Sequence, residues 1–326
     1  MGTLKNILKR IPLIKELIKV YDALQSASKS YPWMVHNIKQ MAVELANQQQ
    51  TKSARSGGKL DNCPQKIELK SKICLQEDLE SIEYAYWLDQ LKINFIYHRK
   101  LWELAYVCQV VWQNGLLGPD KRGLGFAVGD ESLPSYFAAH NVKIHATDAP
   151  PQLSTGWVET GQYASNMEAV YKSHLVSRET FDKNVSFEAV DMNHIPEHLR
   201  DFDFCWSICS LEHLGSIQLG LDFIENSLKT LKSGGYSIHT AEYNVSSNDR
   251  TLDHGSTVLF RQQDIERIAD KLTRLGHEVI PLDFSYGTLP LDLYIDFPPY
   301  SNVSPHLKLS IQEFTCTSIG FVVRKK

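Results

Sequence analysis

The chemistry-bearing side chains of this 326-residue chain gather in its last two thirds. Glu212 and His213 follow one short apolar run, Glu242 follows the next, and Asn244, Asp253 and His254 come soon after. A histidine or carboxylate within hydrogen-bond reach of a hydroxyl can take its proton as the oxygen attacks, and a bound metal ion does similar work by lowering the hydroxyl's pKa. His213 is the first candidate base, with Glu242 and His254 next. The loop set Glu242, Asn244, Asp253 and His254 suits a sugar or, as an option left open, a divalent cation. Two further acids, Asp148 and Asp191, end apolar runs, and the small-residue turn Gly125-Phe126-Ala127-Val128-Gly129 precedes the first of them. Such a turn lets the backbone approach a ligand closely, and an acid at the tip of the following strand can accept both hydroxyls of a ribose.

These residues need strands to place them on one edge. From Lys121 onward the pattern alternates strand and helix, which predicts a parallel sheet with helices on both faces. The strands run 123–128, 142–147, 185–190, 202–208 and 236–241, with two more at 277–284 and 314–323. Helices are expected from the first turn to about His140, to about Arg178 after the polar loop APPQLSTGWVETGQ, over 217–231 and over 261–275. In an open sheet of this kind ligands collect at the carboxyl ends of the strands, where Asp148, Asp191, Glu212, His213 and Glu242 all fall.

Composition sets the outer bounds. At 43% apolar content the chain is globular, and it is long enough for one large domain with a helical appendage. Net charge is only -4, but residues 1–60 hold ten Lys or Arg against three acids, a balance of +7 that leaves -11 for the rest. Leu4, Ile7, Ile11, Ile14, Ile18 and Tyr21 form a heptad stripe on a basic amphipathic helix, broken or restarted at Pro12. Two readings follow for residues 4–24: packing on the chain's own core or in a homo-oligomer, and docking on a membrane surface. A second helix, 33–50, runs into a polar Gly- and Ser-containing stretch at about 48–65, the expected linker. The division is therefore 1–60 as helical extension and linker, and 61–326 as the main domain with a helical lead-in over 76–118. The six cysteines are widely spaced and read as free thiols of a reducing compartment, the cytoplasm. Cys205 and Cys209 lie inside one apolar segment without a second pair nearby, so they read as core and no metal site is assigned to them. No 18-residue apolar run is present.

Four pieces, in order and at suitable spacing, resemble the class I S-adenosylmethionine-dependent methyltransferases: the GFAVG turn, Asp148 closing the second strand, DFDFCWSICSLEHL at the fourth, and LKSGGYSIHT leading into the fifth. The last two match the family's F-D-x-V-x-S with L-E-H-L, and its L-K-P-G-G. The resemblance covers about residues 100–326. It implies a Rossmann-like seven-stranded sheet and S-adenosyl-L-methionine as cofactor. Gly125, Ala127 and Gly129 match the turn under the methionine part, Asp148 the ribose acceptor, and Asp191 with Met192 the adenine contact. Ser207 and Cys209 match the strand tip that passes the sulfonium. The family's acid at the first turn position is Gly125 here, so Asp130, Glu131 or a backbone carbonyl takes over the ammonium contact. Its central glycine is Ala127.

Methyl transfer is an in-line displacement, and the protein's main work is alignment and exclusion of water. Residues 100–326 hold no basic groove with interleaved aromatics, which argues against a nucleic-acid acceptor. The polar, aromatic-bearing loops at 149–166, 242–256 and 285–306 suit a polyhydroxylated small molecule or glycan. O-methylation of a sugar is the resulting expectation. Its rival is a scaffold that keeps the cofactor fold without turnover and works through its N-terminal helices.

Overall fold

The computed structural model describes residues 12–56, 63–154, 157–158, 161–301 and 303–326. Helix α1 (Pro12–Ser56) starts at a proline, which has no N–H to leave unbonded in a first turn. Pro32 lies inside it on an exposed stretch, where water can satisfy the carbonyl that the ring leaves free. Of the expected stripe, Leu4, Ile7 and Ile11 fall outside the described residues, as do the side chains of Ile14 and Ile18. Tyr21 is exposed. The linker expected from residue 48 is helical through Ser56, because Gln, Ala, Lys and Arg sustain a helix without an apolar face; 57–62 lie outside the described residues. The second half of α1 is seated on the body. Val35 and Ala42 are buried, Leu45 and Ala46 pack on the main core, and Lys39 Nζ lies 2.8 Å from Asp296 Oδ1.

Strand β1 (Ser71–Lys72) leads into α2 (Gln76–Leu79), α3 (Ile82–Leu91) and α4 (Arg99–Gln113), which fill the expected helical lead-in with three helices. Ser81 separates the first two by capping α3: its hydroxyl accepts from the Tyr84 N–H. The sheet then forms from β2 (Arg122–Phe126), β3 (Lys143–Asp148), β4 (Val185–Ala189), β5 (Phe202–Ser207) and β6 (Leu231–Asn244). Helices α5 (Leu133–Ala139), α6 (Arg178–Asn184) and α7 (Ile217–Ser227) connect them, and α8 (Gln262–Arg274) follows β6. Short β7 (Glu278–Val279), β8 (Leu282–Asp283) and β9 (Ile295–Asp296) precede β10 (Lys308–Ile311) and β11 (Phe314–Arg324).

The main sheet runs β4-β3-β2-β5-β6-β11-β10-β9, parallel from β4 to β6, with β11 antiparallel to both of its neighbours. Strand order reverses at β2, which has β3 on one side and β5 on the other, so the crevice of an open sheet lies at the carboxyl ends of β2 and β5. Along β5 the side chains alternate. Phe204 and Trp206 join the core under α3, α4 and α5, while Cys205 faces the other core with Phe126, Phe223 and Ile265.

Two expectations change. No α-helix fills 161–177 ahead of α6, because backbone groups there bond sideways: the Ala164 N–H goes to Asp148, and the Val170 carbonyl accepts from Ser135 Oγ. The strand expected at 277–284 divides around Pro281, which has no N–H to donate. Its first part pairs with β11 and its second with β1 in a separate ribbon. The place beside β11 goes to β10, a strand outside those expected.

Candidate active site

The turn after β2 is built by exclusion. A Cβ on Gly125 would lie 2.5 Å from Trp206 Cζ2 and 2.6 Å from Val128 Cγ1, so the indole fills the space where the family's acid would stand. Ala127 and Gly129 both take the left-handed conformation, at φ +48° and +53°. A Cβ on Gly129 would also meet the Gln162 carbonyl at 2.7 Å. Glu131 Oε1 accepts from Trp206 Nε1 at 2.6 Å, so a carboxylate stands at the edge of the ring that excludes a side chain at 125. Burial pushes Glu131 up to about 8, and the Asp148 charge adds to this against the Trp206 hydrogen bond. The buried hydroxyl of the next residue, Ser132, has no partner.

Asp148 is the clasp of this turn. Oδ2 accepts from the Gly129 N–H at 3.0 Å and the Ala164 N–H at 2.9 Å, and Oδ1 accepts from the Ala149 N–H at 2.7 Å. Three acceptances leave about one of a carboxylate's roughly four lone-pair sites for a ligand. Burial raises its pKa against these three N–H groups. Asp191 is turned to local work, accepting from the Asn193 N–H at 2.9 Å and meeting His194 Nδ1 at 2.7 Å; Met192 beside it is buried. Ser207 bonds His239 Nδ1 at 2.8 Å within a buried network with Ser237 and Ser227, and burial pushes His239 down to about 3. Its hydroxyl therefore serves the core, and Cys209, at φ +48°, is what the tip of β5 presents.

Around Cys209 lies a polar cluster that sequence reading found only in part. Its Sγ is 3.5 Å from Glu242 Oε1, and the Arg99 guanidinium, from the start of α4, binds that same oxygen. Arg99 also donates to Ser318 Oγ at 2.8 Å and to Glu103 Oε1 at 3.5 Å, and Glu103 accepts from Thr240 and Ser318. Burial pushes Glu242 up, but Arg99 and Lys100 outweigh it and hold the carboxyl below its usual range. Glu212 is fully buried, neither of its oxygens has a partner, and burial raises its pKa.

His213 sits at the rim. Its Nδ1 lies 2.7 Å from the Ser256 carbonyl, its Nε2 is 3.9 Å from Glu212 Oε1, and its ring stands edge-on to Trp157 with centroids 4.4 Å apart. His213 and Glu242 thus flank Glu212. His254 does not join them; it is exposed beside Asp253, 3.0 Å away. The loop cation set fails for the same reason, since Asn244 spends its amide on Ser246, Ser247, Arg250 and Thr251. Cys205 and Cys209 form no clip, because Cys205 faces the α7 side. Of the cysteines, Cys63 alone is exposed among the described residues. In sequence Arg99, Lys100 and Glu103 look first like the solvated face of a helix, and only second like residues that close over a ligand. A surface cavity of about 240 Å³ lined by Lys70, Lys72, Asp78 and Asp283 contains no residue of the strand tips.

The strand order and the antiparallel β11 are those of the Rossmann-like fold of class I S-adenosylmethionine-dependent methyltransferases. No family model and no curated protein matches the sequence. Among solved structures the chain is similar to TehB from Haemophilus influenzae, at 14% identity over 75% of this chain and 67% of that one, with a TM-score of 0.43. It is also similar to an S-adenosylmethionine-dependent methyltransferase from Clostridium acetobutylicum (13%, 74% and 98%, TM-score 0.39). A methyltransferase of Bacillus halodurans compares in the same way (14%, 66% and 97%, TM-score 0.41). Likeness at this level concerns the fold, and the chemistry has to be argued from the site. Among the described residues no helix is long and apolar enough to cross a membrane.

Proposed function

We propose that the chain binds S-adenosylmethionine across the β2–β5 crevice and transfers its methyl group to a hydroxyl of a polyhydroxylated acceptor, sugars foremost. The observation that carries the reading is the group of side chains around the β2 turn that call for a polar, cationic ligand: Glu131 pushed up to about 8, Asp148 next to it, and the unpartnered buried Ser132 hydroxyl. When bound, this cofactor supplies a methyl group on a sulfonium, already electrophilic. Glu131 receives the ammonium in place of the absent acid at 125, Ser132 donates to the carboxylate, and Asp148 offers its remaining lone pair to the ribose. Ala127 and Gly129 keep the turn free of bulk.

At the acceptor side, a ring nitrogen facing a carbonyl must carry the hydrogen, so His213 bears it on Nδ1 and presents a lone pair at Nε2. That lone pair takes the acceptor's proton, and Trp157 gives a sugar ring a surface to stack on. Residues 61–326 form the catalytic unit on this reading and 1–60 its extension. The exposed Leu17, Val20, Tyr21 and Leu24 of α1 support self-association or surface contact through that extension. The test is calorimetry with S-adenosylhomocysteine, then mass spectrometry of candidate sugars, lipids and proteins incubated with methyl-labelled cofactor. Failure to bind sinks the reading, whereas tight binding without transfer to any acceptor favours the scaffold.

A further inference from the structure

We propose that the tip of β5 and β6 is a metal site, holding a divalent transition ion of the zinc class on Cys209, Glu212 and Glu242. One ligand atom from each of the three lies within 4.8 Å of the other two, and all three residues are buried. Glu212 is 0% exposed, yet neither carboxylate oxygen has a hydrogen bond, its nearest cation being His213 Nε2 at 3.9 Å, and Glu242 Oε2 has no hydrogen bond either. Buried polar atoms are almost always satisfied, and a single cation held by one atom from each residue would satisfy both carboxylates together. Arg99 meets only part of this set: it binds Glu242 through Oε1, donates to Cys209 Sγ at 3.6 Å and is shared with Ser318 and Glu103, and it leaves Glu212 and Glu242 Oε2 without a hydrogen bond.

One thiolate with two carboxylates is the donor set of a borderline ion and not of magnesium or calcium, which take oxygen alone. Three protein ligands leave a position open, the arrangement of a catalytic site. This deepens the methyl-transfer reading on which it rests: the open position takes the acceptor hydroxyl and lowers its pKa, and His213 Nε2, 3.9 Å from Glu212 Oε1, stands beside it to receive the proton.

The experiment titrates cobalt(II) into the full-length, metal-stripped chain carrying Cys63→Ser, which removes the exposed thiol as a competing ligand. We expect about one cobalt per chain, in keeping with the single thiol of the site, and a near-ultraviolet sulfur-to-cobalt charge-transfer band. Adding Cys209→Ser abolishes the band. Glu212→Gln keeps the fold, judged by circular dichroism, and weakens cobalt binding by at least the roughly tenfold that loss of even an outer-shell partner costs. No cobalt binding, a band that persists in Cys209→Ser, or unchanged affinity in Glu212→Gln overturns the site. S-adenosylhomocysteine binding measured on the same samples separates the two ideas. Cofactor binding without cobalt sinks the metal site alone, and cobalt binding without cofactor sinks the methyl-transfer reading.

Discussion

Glu131 gives the sharpest test of the cofactor site, because its protonation is tied to ligand binding. In the free protein its carboxyl is pushed up to about 8, so at neutral pH it is mostly uncharged. A bound ammonium requires the carboxylate, so binding expels a proton. One unit below the pKa that ionisation costs about 1.4 kcal/mol, and two units below about 2.7 kcal/mol. The charge-assisted hydrogen bond gained is worth about 1.5–3 kcal/mol, so the benefit is nearly cancelled at pH 6 and emerges as the pH rises to 7 and beyond. Glu131→Gln cannot ionise. The parent's advantage over this variant in S-adenosylhomocysteine affinity therefore grows by about tenfold between pH 6 and 7, a range in which an α-amino group stays protonated. Calorimetry in two buffers of different ionisation enthalpy should show close to one proton released per ligand by the parent and none by the variant. Stability gives the reciprocal sign. A folded pKa above the ordinary value of 4.5 makes the free parent lose stability as the pH climbs from 4.5 toward 8, so Glu131→Gln melts higher than the parent at pH 8 and equally at pH 4. A constant affinity ratio across pH 6–7, or a parent that binds without releasing a proton, refutes the assignment.

Asp148→Ala removes the acceptor of three backbone N–H groups along with the proposed ribose contact, so cofactor affinity should fall at least about tenfold and the melting temperature should drop with it; equal affinity by calorimetry rules the contact out. His213→Gln should lower turnover by about a hundredfold with cofactor affinity within a few-fold of the parent, and full turnover would show that the proton goes elsewhere. Deleting residues 1–34 should leave melting and cofactor affinity unchanged. Deleting 1–50 strips Val35, Ala42 and the Lys39 partner of buried Asp296, and should lower the melting temperature by several degrees; unchanged melting would show that α1 adds nothing to the body.

Most of the sheet was readable because buried parallel strands are written as short apolar runs between turn signals, and those signals are local. The strands with Asp148, Asp191 and Ser207 near their tips stand close to where the pattern placed them. The reading failed where pairing is decided at long range. Nothing within 277–284 shows that Pro281 splits it between β11 and β1, and nothing in the Pro-rich stretch before β11 marks 308–311 as its neighbour in the sheet. The departure at Gly125 was visible, but its cause was not. Gly125 pairs with Trp206 across 80 residues of chain, and only that contact explains why an acid cannot stand there and why Glu131 reaches in from the other side of the turn.

The strand-tip cluster was the least legible part, for a reason that lies in the helix code itself. Arg99 and Glu103 stand four apart on α4, the spacing of an ordinary surface ion pair, and a run of His, Arg and Lys beside them reads as a solvated face. What buries them is β11: Ser318, paired with Glu242 across the ladder, bonds both Arg99 and Glu103. A helix packed obliquely across strand tips buries residues that its apolar stripe does not mark. The arginine then fixes one oxygen of Glu242 and leaves the other, together with Glu212, without a partner. Burial of this kind destabilises the free protein unless a ligand completes it, and such expense is met at sites that bind. Replacing Arg99 with Lys keeps the charge but gives up the forked geometry that holds Ser318, Glu103 and Glu242 at once. Stability should fall in that variant, and turnover should fall further than cofactor affinity. If affinity drops as much as turnover, the cluster belongs to the cofactor's side of the crevice and not to the acceptor's.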